Sequence, residues 1–177
     1  MIYLVEHSCS SLSPEVLKKY LTATFIETGT NIGHGVQAAL EAGFQKVVSI
    51  DADLGMWQHS VRRFSSEKRV DILLSDSPTM LRILCPQLKD PCTFFLDAHS
   101  DEQNPLLGEL AAIGTSPCKT HTILIDDVRM FGTVQCWREI TGDRIVRAVQ
   151  DINPNYVFSR EDTPNGRDDL LVARVAA

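Results

Sequence analysis

Short apolar runs alternate with helical stretches five times along the chain, which predicts an α/β protein with a mostly parallel sheet and helices on both faces. Two further strand-like runs follow, separated by a turn of roughly ten residues. That is too short for a right-handed crossover helix, so the pair is expected to be antiparallel. The result is a seven-stranded sheet closed by a C-terminal antiparallel hairpin. At 177 residues the chain is one domain's length, and residues 1–177 are read as a single domain with a helical N-terminal segment over 1–22.

The elements are justified in order. Ser13-Pro14-Glu15 is a helix start, with a cap, proline at the first helical position and an acid in the first turn; Val16, Leu17, Tyr20 and Leu21 follow at helical spacing. Residues 24–28 form the first strand, and 33–42 a helix that ends at Gly43. Strand 46–51, helix 56–64, strand 70–74 and helix 78–84 come next. Strand 93–97 precedes a helix over 106–113 opened by Asn104-Pro105, then strand 122–125 and a helix from about 143 to 149. The closing strands are 156–159 and 170–173, with Pro164-Asn165-Gly166 in the turn.

Composition narrows the function classes. Seventeen basic against twenty-three acidic residues give a net charge of −6, the wrong sign for a chain that lives on phosphate backbones, so no nucleic acid is expected. The cysteines at 9, 85, 92, 118 and 136 are odd in number and lack zinc-type spacing, so they read as thiols in a reducing compartment. Neither a secretory signal nor a membrane-length apolar run is present. A cytoplasmic location is expected, with no membrane contact.

The stretch Phe25-Ile-Glu-Thr-Gly-Thr-Asn-Ile-Gly-His-Gly35 carries the first chemistry. A strand entering a helix through a glycine turn lets a ligand press against bare backbone near free helix N–H groups; many such turns, however, only connect. The dinucleotide fingerprint G-x-G-x-x-G wants its second glycine where this chain has Asn31, and the pattern here is G-x-x-x-G-x-G. Glu27 would repel a pyrophosphate and suits a ligand with an ammonium or sulfonium end. Asp51 lies about twenty residues past the turn, the spacing at which a carboxylate accepts from a ribose diol; it could equally cap the helix beginning near Leu54. Glu27, Asp51, Asp76, Asp97 and Asp126-Asp127 each follow an apolar strand, so in a doubly wound sheet they crowd one rim, where ligands bind.

With Glu27, Gly29 and Gly33 the chain resembles the class I S-adenosylmethionine-dependent methyltransferases, whose first motif is hydrophobic–Glu/Asp–x–Gly–x–x–x–Gly. The resemblance covers most of residues 24–175 and is strongest at 25–35, 93–99 and 121–129. It implies a Rossmann-like methyltransferase sheet in which the seventh strand inserts beside the fifth. It also implies S-adenosylmethionine as cofactor. Thr28, Gly29, Thr30, Asn31 and Gly33 would wrap the methionine part, with Glu27 turned toward it. Asp51 and Ala52 would hold the ribose, and Asp76-Ser77 would reach the adenine edge, although Ser77 before Pro78 also reads as a helix cap.

Asp97 and Asp126-Asp127 end neighbouring strands, and three adjacent carboxylates repel unless protons or a cation intervene. Here the chain is similar to the metal-dependent catechol-type and macrocin-type O-methyltransferases. That likeness implies Mg²⁺ held by Asp97, Asp126 and Asp127, with Asp97 also near the cofactor, and methyl transfer to a hydroxyl of a small molecule. His99 is the candidate base, and Asp97, His99 and Asp127 form the catalytic set. The lysine base of the catechol subgroup would fall at Ser100, which leaves the acceptor open. The alternative is that these carboxylates contact cofactor or cap helices without metal.

Two other classes compete. Asp97-Ala98-His99-Ser100-Asp101 matches the D-A-H-x-D run of the ureohydrolases, and Ser49-Ile50-Asp51-Ala52-Asp53 imitates their S-x-D-x-D run, but in reversed order and without G-G-D-H. A non-catalytic cofactor-binding module is the third option. Met130, Phe131 and Trp137 would then cover a substrate, bury a homodimer contact or simply pack in the core. His34 and His121 read as turn and strand-start residues, and His7 and His59 carry no signal.

Overall fold

The computed structural model describes residues 12–100, 102–133 and 135–176. Its strands are β1 (Thr24–Thr28), β2 (Lys46–Asp51), β3 (Val70–Leu74), β4 (Thr93–Leu96), β5 (Thr122–Ile125), β6 (Tyr156–Thr163) and β7 (Gly166–Val175). They form one seven-stranded sheet in the order β3-β2-β1-β4-β5-β7-β6. β1 to β5 pair in parallel, β7 is antiparallel to both β5 and β6, and β7 does insert beside β5. The helices are α1 (Pro14–Lys18), α2 (His34–Ala42), α3 (Leu54–Arg63), α4 (Ser77–Leu84), α5 (Leu106–Ile113) and α6 (Gly142–Ile152).

The two-residue side-chain period of a strand explains the two cores. Ile26, Phe94, Ile123 and Ile125 face α4, α5 and α6, where Leu81, Leu110, Ile145 and Val149 pack. Their neighbours Phe25, Phe95 and Leu124 face the other way, against Leu17 of α1 and Val36 and Ala39 of α2. Phe25 lies between the rings of Phe44 and Phe95, with centroids at 5.1 and 6.4 Å. A sheet buried on both faces favours largely apolar runs; β4 and β5 are apolar after an opening threonine, and β1 is apolar at Phe25 and Ile26.

Three expectations change. Leu21 is about half exposed rather than packed, because α1 ends at Lys18 and the chain turns at Lys19 and Tyr20. The 56–64 helix bound moves to Leu54, where the capping alternative for Asp51 had already set a start, because the Asp53 carboxylate accepts from Met56 N at 2.8 Å and caps the helix there. The closing hairpin is longer than its apolar residues: only Pro164 and Asn165 separate β6 from β7. Residues 160–169 are mostly charged, but ladder hydrogen bonds are made by backbone, so the strands run on into solvent with a register shift between Glu161 and Thr163.

His121 is structural, as expected. It is fully buried, its Nδ1 accepts from Cys92 N at 3.0 Å, its Nε2 faces Ser116 Oγ at 2.9 Å, and burial pulls its pKa down to about 4. Cys85, Cys92, Cys118 and Cys136 are free thiols; Cys9, His7 and Asp101 lie outside the described residues. No described helix is long and apolar enough to cross a membrane.

Candidate functional site

Parallel strands end at the same rim, and there the structure opens a cleft of about 1320 Å³. Glu27, Asp51, Asp76, Asp97 and Asp126-Asp127 all line it. The rim is therefore acidic, as the strand-end pattern required.

The glycine loop forms its floor. Gly29, Asn31 and Gly33 all take left-handed conformations, with φ of 85°, 49° and 82°. A methyl on Gly29 would come 2.7 Å from the Asp97 carbonyl oxygen, so the position tolerates no side chain at all. α3 braces this loop: Ser60 Oγ donates to the Asn31 carbonyl at 2.8 Å, Arg63 Nη1 to the Ile32 carbonyl at 2.6 Å, and the Phe64 ring packs under Gly33. These three braces carry no signal in the sequence, since contact between α3 and a loop twenty or more residues earlier is a tertiary matter.

Successive residues of β1 point to opposite faces. Glu27 turns under the first turn of α2, so closely that a methyl on Gly35 would meet its Oε1 at 1.7 Å. The β1–β2 register sets Glu27 beside Ser49, whose hydroxyl donates to Glu27 Oε2 at 2.5 Å while standing 2.6 Å from Thr30 Oγ1. Burial pushes the Glu27 carboxyl up to about 8; the Ser49 bond opposes this and the Asp51 charge adds to it. Thr28 turns the other way, toward Glu109 of α5. Glu109 was not anticipated. It is buried, takes the Ser77 hydroxyl on Oε1, and burial raises its pKa to about 7, with Ser77 and Thr28 drawing it back. Nothing in the spacing of a lone glutamate in an apolar helix marks it as buried.

Asp51 does not cap α3; Asp53 does. Asp51 Oδ2 accepts from Asn31 N at 2.7 Å and Oδ1 from Asp53 N at 2.8 Å, so its carboxylate is fixed at the cleft wall beside Ala52. Asp76 is the cap of α4, accepting from Thr79 N at 3.1 Å. Ser77 is not a cap, because its side chain is buried against Glu109.

At the other end the acids separate into unlike environments. Asp97 is held well above the usual carboxylate range by burial, then by the charges of Asp126, Asp127, Glu27 and Glu109. Asp127 goes the other way: burial would raise it, but His99 and Arg129 outweigh that and lower it. His99 Nε2 lies 2.8 Å from Asp127 Oδ2, and Arg129 Nη2 lies 2.7 Å from Asp127 Oδ1. Trp137 packs edge-on to the His99 ring at 5.1 Å and stacks on Phe131 at 5.9 Å. These two rings belong to the core and back the histidine; Met130 packs against the same core.

Asp97, Asp126 and Asp127 do not meet as one triad. Ligand atoms of Asp97, His99 and Asp127 lie within 4.8 Å of one another, and so do those of Asp126, Asp127 and Asp169. Asp169, on β7, was missed for the reason the hairpin was. The Ile125↔Leu171 pairing, continued by two residues, sets Asp169 opposite Asp127. Asp53 caps α3 and groups with neither set, so the two ureohydrolase-like runs do not build one cluster among the described residues.

No protein-family model matches the sequence, and no curated protein matches it. Solved structures match over nearly the whole chain. A Bacillus cereus O-methyltransferase in complex with S-adenosylhomocysteine superposes with a TM-score of 0.66 at 15% identity, over 92% of this chain and 78% of its own. An S-adenosylhomocysteine-bound Podospora anserina methyltransferase gives 0.62 at 16%, over 93% and 76%. An rRNA methylase from Streptococcus thermophilus gives 0.59 at 12%, over 92% and 94%. Identities this low speak for the architecture and not for an acceptor. By strand order, inserted β7 and these likenesses, the chain has the class I S-adenosylmethionine-dependent methyltransferase fold.

Proposed function

We propose that the protein is an S-adenosylmethionine-dependent methyltransferase acting on a hydroxyl of a small molecule. The observation that carries the cofactor reading is the glycine loop: three left-handed residues hold its backbone against the Asp97 carbonyl, with Glu27 beneath and Asp51 alongside, at the strand tips. S-adenosylmethionine suits this acidic floor because it is cationic at sulfur and at its amino group. Two of the structural neighbours hold S-adenosylhomocysteine, and one of those is an O-methyltransferase, which supports the same reading.

When bound, the cofactor supplies a methyl group on a positively charged sulfur. The chain's own residues do the rest. The left-handed loop would hold the methionine part and Asp51 the ribose, and Asp76 and Ser77, which line the same cleft, would reach the base. With Nε2 facing Asp127, Nδ1 is the His99 ring atom left to take the proton of an acceptor hydroxyl. The chain's task is to hold the acceptor oxygen in line with that group while His99 takes its proton, a positioning task that would supply a large share of the rate. Ser100, Gln103, Asn104 and Asn165 line the same end of the cleft, a polar wall suited to a polar acceptor.

The test is titration calorimetry with S-adenosylhomocysteine. Wild type should bind, and Gly29→Val, which drives a side chain into the Asp97 carbonyl, should lose at least tenfold in affinity, about 1.4 kcal/mol. Absence of binding by wild type at millimolar ligand would sink the reading.

A further inference from the structure

Asp127, which the expected Mg²⁺ site needs, is not available to the ion. Mg²⁺ asks for near-octahedral oxygen ligands at about 2.1 Å and binds through carboxylate lone pairs that face an open site. Asp127 is the member common to both carboxylate groups, and its two oxygens are taken, one by His99 and one by Arg129. Asp169 is taken as well: Arg129 N donates to its Oδ1 at 2.9 Å, Arg129 Nη1 pairs with its Oδ2, and the Thr163 hydroxyl approaches Oδ2 at 3.3 Å. An ion ligated by Asp127 would sit against a guanidinium.

We propose that Arg129 is a built-in cation standing where a divalent metal was expected, making the acceptor end of the cleft metal-independent. The fold sets this up in three steps. Asp127 turns the chain with φ of 59°, a 3₁₀ turn over 128–130 follows, and that turn brings Arg129 back over the acid it has just left. The β5–β7 register then supplies Asp169 from the opposite direction. The Asp169 side chain is completely buried and that of Asp127 nearly so (8% exposed), and buried anions persist only when paired. Arg129 is anchored to Asp169 by both its backbone and its side chain, which surface ion pairs seldom are.

Its guanidinium remains partly exposed (42%) and lines the cleft beside His99 and Asn165. With five N–H donors in a planar fork, it has donors left over for an acceptor oxygen after serving both carboxylates. Arg129 thus fixes Asp127, and through it His99, and its spare donors would steady negative charge gathering on the acceptor oxygen. That last role depends on the methyltransferase reading; the exclusion of a divalent ion does not.

The experiment follows melting temperature and calorimetric heat as Mg²⁺, Mn²⁺ or Ca²⁺ is added to chelator-treated protein. Wild type should ignore all three at millimolar concentration. Arg129→Met should melt lower and then gain several degrees on adding a divalent ion, since Asp127 and Asp169 now lack the guanidinium between them. One equivalent of Mg²⁺ binding to wild type and lost in Asp127→Asn would overturn the proposal, as would a folded Arg129→Met protein indifferent to cations. Should Arg129→Met fail to fold, the same change is made in an Asp127→Asn/Asp169→Asn background. There it should be tolerated, and failure to fold in that background too would count against Arg129 as a charge partner. S-adenosylhomocysteine binding by wild type is measured alongside, so failure of the cofactor reading is seen independently of the cation result.

Discussion

At the scale of single residues, what separates this site from an ordinary acidic surface is that its carboxyls are driven apart in protonation. Burial keeps Glu27 protonated up to about pH 8, whereas His99 and Arg129 hold Asp127 ionised. Glu27 lies below the loop that would carry the cofactor's cationic end, so a bound cation favours its carboxylate form, and binding and deprotonation reinforce each other. Affinity for S-adenosylmethionine should therefore rise between pH 6 and 8. Glu27→Gln should bind more weakly and with a flat pH profile, measured by calorimetry in two buffers of different ionisation heat. An unchanged slope in that variant would show that another group is responsible.

At the scale of elements, one strand end carries two aspartates with separate duties. Asp53 caps α3 and Asp51 holds the glycine loop. Asp53→Ala should cost about 1 kcal/mol of stability, as lost caps do, and leave S-adenosylhomocysteine affinity within a few fold. Asp51→Ala should weaken that affinity by about tenfold or more, in line with the ~1.5–3 kcal/mol of a charged hydrogen bond, with a smaller effect on melting. Urea melts and calorimetry on both variants decide it, and equal behaviour would mean that the two acids share one role. α3 matters for the same reason: Ser60, Arg63 and Phe64 let the helix set the height of the loop.

At the scale of the whole molecule, the buried acids make stability depend on pH. Glu27 and Glu109 have folded-state pKa values raised to about 8 and about 7, and Asp97 is also raised. Between pH 5 and 7 the folded chain holds protons that the unfolded chain has released, so stability is greatest at the acid end of that window and falls as pH rises. Urea midpoints should drop from pH 5.5 to 8, and Glu109→Gln should remove on the order of 1–3 kcal/mol of that dependence. A Glu109→Gln protein with the wild-type pH profile would contradict this. Ligand adds to stability by mass action, about 2.7 kcal/mol at a hundred times its dissociation constant.

Much of this was legible in the chain. Runs 24–28, 46–51, 70–74, 93–96 and 122–125 are strands because their aliphatic, β-branched and aromatic residues fill a sheet between helices, and a parallel sheet then delivers the strand-end acids to one rim. The glycine loop was readable too, because left-handed backbone at Gly29 and Gly33 excludes most other residues. The hairpin's length, the braces from α3, and the Glu109 and Asp169 carboxyls were not. Each depends on a partner far away in sequence, and a charged residue looks alike in the chain whether water or an arginine will neutralise it. The order of residues thus determined the sheet, the rim and the loop, through local conformational and solvation preferences. Folding alone decided which acids keep their protons and which cation answers them, because burial and distance are properties of the assembled sheet.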